Sequence, residues 1–172
     1  MRTFGILLLA ALIAVGGYIV WLNRMLEKEA ERLRAQLAAQ ESEITVFLVK
    51  HTPVDFVLTP VTRKISGPAT PQKALELLIE GPRPGEDLHP AVSPRTQVES
   101  LTITEGTALV SFSKALQEDY IGGAQNEANL VTAIVHTLIQ FPEIERVQIL
   151  IAGEVVETIG GHMAIDRPLS GM

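Results

Sequence analysis

Nineteen consecutive residues near the start of the chain, Phe4 to Leu22 (FGILLLAALIAVGGYIVWL), carry no charge. A helix of that length rises about 28 Å, close to the roughly 30 Å hydrocarbon core of a bilayer. The run therefore constrains the rest of the 172-residue chain: whatever follows hangs from a segment that water does not favour. A single-pass membrane anchor over residues 1–22 is the expectation. Tyr18 and Trp21 near its end suit the headgroup level. A cleaved signal peptide competes, with Arg2 as its basic start and Ala14-Val15-Gly16 as its small-residue site. The apolar run continues well past that site, which favours the anchor. Orientation stays open on charge. Arg24, Lys28, Arg32 and Arg34 outnumber Arg2 and would hold the C-terminal side in the cytoplasm, but Glu27, Glu29 and Glu31 interleave with them and a whole domain follows.

Residues 23–43 read as a helical stalk, free of Gly and Pro. Ile19, Leu26, Leu33 and Gln40 share one heptad position, and Asn23, Ala30, Leu37 and Ile44 share the other seam position. The apolar seam covers under three heptads. A solitary stalk that holds the domain off the bilayer is expected, with self-association through a short coiled coil left open.

The remainder, 44–172, is long enough for one ordinary domain with its own core. It carries nine Lys or Arg against fifteen Asp or Glu, which argues against nucleic acid and against a polybasic membrane-surface module. The chain has no cysteine, so disulfides, thiol catalysis, cysteine-ligated metals and an N-terminal lipid-modified cysteine are excluded within it.

Ile44–Val49 reads as a buried strand, and Phe56–Ile65 as a second, at an edge or bulge because of Pro60. Thr70-Pro71 starts a helix whose apolar face is Ala74, Leu75, Leu78 and Ile79, and Gly81-Pro82 ends it. The Pro-rich stretch 83–95 is a loop. Val98–Ile103 and Ala108–Phe112 flank Glu105-Gly106 as a hairpin. After a loop over 114–125 comes the longest helix of the domain, 126–141, with Leu130, Val131, Ile134, Val135 and Leu138 as its stripe. Val147–Ile151 and Val155–Ile159 read as a second hairpin around Ala152-Gly153. The expected fold is α+β: a single small domain in ββαββαββ order, two helices against a mixed or antiparallel sheet.

No catalytic constellation emerges. His51, His89, His136 and His162 have no partner at metal-motif spacing, and His136, beside an apolar stripe, reads as structural. No phosphate loop, dinucleotide fingerprint or nucleophile elbow occurs. Gly160-Gly161 reads as a turn. Two acidic pairs, Glu86-Asp87 and Glu118-Asp119, sit in loops, where solvated carboxylates are common. No catalytic, cofactor or metal residue is assigned, no cofactor is expected, and the protein is not expected to be an enzyme. The alternative is an envelope hydrolase or glycan-binding protein acting on peptidoglycan, with Glu118, Asp119 and Tyr120 near its site.

In order and spacing, FVLTPVTRKI (56–65), TPQKALELLIEGP (70–82), the hairpin around Val110-Ser111-Phe112-Ser113, TAIVHTLIQFPEIERV (132–147), the segment 147–158 and the closing Gly161-His162 and Arg167-Pro168-Leu169 resemble the GerMN domain of sporulation and spore germination. The resemblance covers about three quarters of the chain, roughly 44–172. It implies a non-catalytic, extracytoplasmic bacterial domain that works through other envelope proteins, such as a sporulation-related envelope complex. It implies a place at the bacterial cytoplasmic membrane with the C-terminal domain outside. The family's founding lipoprotein is held by lipid; here a membrane helix and stalk stand in its place.

Overall fold

The computed structural model describes residues 2–171, the side chains of residues 2–15 and of Ala38 excepted. Two compact units emerge: Met1–Glu41 with Ser66–Pro68, and Ser42–Ile65 with Ala69–Met172.

The first unit is built on α1 (Arg2–Ala39), one unbroken helix through the apolar run and most of the expected stalk. Strand β1 (Glu41–His51) begins at Glu41, so the helix ends four residues before the Glu43 boundary expected from composition. Good helix formers at 41–43 are overridden by strand pairing, a common outcome for so weak a preference. Gly67 N–H donates to Gln40 O at 2.7 Å. Of the expected seam, Ile19, Leu26, Leu33 and Leu37 are exposed, whereas Ile44 falls in β1 and is buried in the core of the second unit. Much of the apolar run, residues 4–15, lies outside the described side chains. Among the described residues no helix is long and apolar enough to cross a membrane.

The second unit is α+β, as expected. β1 pairs with β2 (Phe56–Ser66) in a two-stranded sheet. Helix α2 (Pro71–Glu80) is capped as its sequence dictates: Thr70 Oγ1 accepts from Lys73 N at 3.2 Å, and Gly81, at φ 77°, donates its N–H to Leu77 O. Such an N-cap is worth about 1 kcal/mol. A second sheet has the order β3-β4-β5, from β3 (Val98–Thr104), β4 (Thr107–Phe112) and β5 (Arg146–Ile151). β3 and β4 are antiparallel, joined by Glu105 (φ 49°) and Gly106 (φ 73°). Two left-handed residues match the twist of a two-residue hairpin. β4 and β5 run parallel, Ala108 beside Val147 and Phe112 beside Ile151. The crossover between them contains the short α3 (Ala115–Glu118) and the long α4 (Ala124–Ile139). Ala108, Val110 and Phe112 alternate along β4 into a core shared with Val147, Ile149 and Ile151 of β5, Leu75 and Leu78 of α2, and Ile134 and Leu138 of α4.

Two expectations are corrected. The 114–125 loop contains α3, and α4 starts two residues earlier and ends two residues earlier than expected. The final hairpin does not form. Ala152-Gly153 does turn, but pairing stops after Ile151 and Glu154. At the other end of β5, Val147 exchanges two 2.8 Å hydrogen bonds with Leu169, so that edge is already occupied by the C-terminal segment. Residues 155–159 are therefore not a strand, and the order is ββαββααβ.

Candidate functional site

α4 carries the least expected side chain of the molecule. Glu127 is fully buried, in the first turn of the helix and on the same stripe as Leu130, Val131 and Ile134. Its carboxylate gathers a turn of the C-terminal segment. Oε1 accepts from Ile159 N at 2.9 Å and Gly160 N at 2.8 Å, and Oε2 accepts from His162 N at 2.8 Å and lies 3.1 Å from His162 Nδ1. Burial pushes the Glu127 carboxyl up, but the hydrogen bonds from Gly160, His162 and Ile159 outweigh it and hold it below the usual carboxylate range. The turn fits only because residue 160 is glycine. A Cβ there would stand 2.1 Å from Cε1 of Tyr120. Tyr120 in turn donates to Gly123 O at 2.6 Å, and burial, then the nearby Glu127 charge, raise its phenol above the ordinary value.

Tyr120 also lines a cleft of about 300 Å³ between the His89–Pro94 segment, the end of β1 and the start of α4. His89 reaches it because Val49 and His89 exchange hydrogen bonds of 2.9 and 2.7 Å. The two imidazoles of His51 and His89 stack at 3.7 Å, and Phe56 packs edge-on against His51 at 4.5 Å. Opposite them lie Asp119, Ile121, Asn126 and Asn129. Ile121 is 83% exposed, an isolated apolar side chain at the rim.

The residues singled out in the sequence are dispersed. Of the trio Glu118, Asp119 and Tyr120, the last two line the cleft, while Glu118 is exposed at the end of α3. Asp119 is committed: Ser93 Oγ donates to Oδ2 at 2.9 Å, Arg95 Nε donates to it at 2.7 Å, and Arg95 Nη2 bonds Oδ1. Glu86 is committed as well. Arg63, 4% exposed on β2, bonds it through both Nη1 and Nη2, the second at 2.7 Å, and Arg83 N donates at 2.8 Å. Asp87 is exposed. His136 packs edge-on against Phe47 at 5.2 Å, a structural place as its sequence context suggests. His162 belongs to the Glu127 cluster. Sequence reasoning missed Glu127, although its place at the head of an apolar helical stripe was the available signal. It also missed Arg63, a charged side chain buried on a strand whose half-buried apolar residues are Leu58, Val61 and Ile65.

These carboxylates and bases knit loops together and leave no paired acid and base free in the cleft. The class this defines is a small α+β module. The chain belongs to the Germane family, described as sporulation and spore germination, whose sequence profile matches residues 45–157; it is a GerMN-domain protein. That description names a process and no catalysed reaction. Solved structures share the fold at low identity. The tandem GerMN domains of the sporulation protein GerM from Bacillus subtilis superpose with a TM-score of 0.64 at 19% identity, covering 76% of this chain and 45% of that one. The first GerMN domain of the same protein gives 0.55 at 22%, covering 76% and 95%. A Clostridium perfringens protein assigned as a lipoprotein gives 0.56 at 21%, covering 76% and 87%. No curated protein sequence matches the chain.

Proposed function

We propose that this protein is a non-catalytic interaction domain of the bacterial cell envelope. In this reading Phe4–Leu22 spans the cytoplasmic membrane once, the helix continues to Ala39 as a stalk, and the domain that begins with β1 stands outside the cytoplasm, where it helps assemble a sporulation- or germination-related complex with other envelope proteins. The family match and the low-identity structural relatives support the module. The observation that carries the non-catalytic reading is the commitment of Asp119: the one carboxylate lining the cleft is 9% exposed and has both oxygens taken by Arg95 and Ser93. Glycoside hydrolysis uses a pair of carboxylates across a cleft, and this cleft presents one among its lining residues, already held.

Because Asp119 and Tyr120 do line a cleft, peptidoglycan remains the second reading. Full-length protein in detergent, incubated with purified peptidoglycan, is expected to release no soluble fragments. Fragment release that disappears in Asp119→Asn would replace the interaction domain with a hydrolase, and co-sedimentation without release would replace it with a glycan binder. The anchor is tested separately. A reporter active only in the periplasm, fused after Met172, is expected to be active; a silent fusion at normal expression would reverse the orientation.

A further inference from the structure

Among the described strand edges of the second unit, that of β3 beyond Ser100 is the least protected. The outer edge of β1 is closed at Thr45, whose N–H and C=O both bond the Gln140 side-chain amide at 2.9 and 2.8 Å, and at Val49 by His89. β5 is closed by Leu169 and Glu154. β2 carries Pro60, a residue that guards an edge by lacking an N–H. β3 lies at the end of its sheet with β4 on one side only. Its sequence, VESLTIT, has no Pro and no Lys, and Glu99 is its sole charge; a register shift between Val98 and Ser100 interrupts its start, and from Ser100 to Thr104 it runs in regular register with β4.

At the start of this strand lies a groove of about 350 Å³ against α2, lined by Gln72, Glu76, Ile79, Thr96, Gln97 and Val98. Within it lies one of two described buried hydroxyls that make no hydrogen bond, the other being Thr137 on α4. Thr96 is 3% exposed and its Oγ1 makes no hydrogen bond. A buried hydroxyl is rarely left so, because the omission costs about 1–3 kcal/mol. The backbone is also poised. Thr104 and Thr107 close the two-residue turn, and antiparallel pairs alternate between hydrogen-bonded and open, so Leu101 and Ile103 direct N–H and C=O away from β4. Their side chains lie on the sheet face of Val110 and Ala108.

We propose that the free edge of β3 and its groove against α2 bind an extended peptide segment of a partner protein, which adds as a fourth strand, satisfies Thr96 Oγ1 and places small apolar side chains against Ile79 and Val98. The partner segment is apolar-alternating and flanked by Lys or Arg, complementary to the net charge of −6 that this chain carries; Glu76 in the groove is itself held by Lys73 at 3.1 Å, and Glu99 accepts from Ser111 Oγ at 2.9 Å. A second copy of this chain fits less well, because each copy carries a net charge of −6. Strand addition of this kind draws affinity from main-chain bonds and selectivity from alternate side-chain pockets.

The probe is a fluorescein-labelled Lys-Thr-Val-Thr-Val-Thr-Lys peptide titrated against the full-length protein in detergent, read by anisotropy. Saturable binding is expected. Ile103→Pro removes an outward N–H without touching the β4 ladder and should weaken binding about tenfold or more, as should N-methylation of alternate peptide amides. Thr96→Val should raise Tm by about 2–4 °C, by deleting an unsatisfied hydroxyl, and weaken the peptide about fivefold. The opposite signs separate a binding role from a packing defect, and the Thr96 variant and methylated peptide carry the test if Ile103→Pro fails to fold. Absence of saturable binding, or equal affinity for Ile103→Pro and wild type, overturns the proposal. Self-association lost in Ile103→Pro also overturns it, by giving the groove to a second copy.

Discussion

Glu127→Ala is expected to lower the unfolding free energy by about 3–5 kcal/mol. The carboxylate is fully buried and accepts three backbone N–H groups besides facing His162 Nδ1. Hydrogen bonds to a charged group contribute about 1.5–3 kcal/mol each, but they are not additive. His162 is exposed and Gly160 half-buried, so part of the freed turn regains water and the total is capped. Ile159 is buried and its N–H is not rescued that way. Glu127→Gln should recover little, because its NH₂ meets donors where an oxygen stood. Denaturant titration of the full-length protein gives the magnitude, and hydrogen exchange at 159–162 should accelerate together with it. A loss under about 1 kcal/mol would show that the turn is held by packing of Tyr120 and Ile159 instead.

Elements are legible in the sequence where local chemistry and period agree. Thr70-Pro71 to Gly81 specifies a helix by cap, first-turn proline and terminal glycine, and the structure gives α2 those bounds within a residue. Glu105-Gly106 between alternating apolar residues specifies a hairpin. They are not legible where long-range pairing decides. Val155–Ile159 has every local mark of a strand, yet the β5 edge it would join is held at Val147 by Leu169, 22 residues further on. No window of sequence contains both competitors. The candidate site was legible only in fragments for the same reason. Asp119 and Tyr120 were visible as polar loop residues, but their fates depend on Arg95, Ser93 and Gly160. Glu127 was legible as an anomaly on an apolar stripe, whereas the amides that make it tolerable come from a turn more than thirty residues away.

Glu86→Ala is expected to cost about 3 kcal/mol, and lowering the pH should reproduce much of that loss in the unmodified protein. Arg63 is nearly buried on β2, and its guanidinium has two hydrogen bonds to Glu86 and a longer one, 3.4 Å, to Gly81 O. Removing the carboxylate strands that cation in the protein, which is worse than never having had the pair. The side-chain bond from Arg63, followed by the backbone bond from Arg83, lowers the Glu86 carboxyl to about 2, against an ordinary value of 4.5. A carboxyl depressed by folding binds its proton more readily in the unfolded chain. Its contribution is therefore complete above pH 4.5, the unfolded value, and is lost as pH falls towards 2. Glu127, also held below the ordinary range, acts with the same sign. Denaturation midpoints followed downward from pH 6 should thus fall across that acid window, and the fall should be shallower in Glu86→Ala, which has already lost one of the two groups. An equal acid slope in variant and wild type would remove Glu86 from the account and leave Glu127 to carry it.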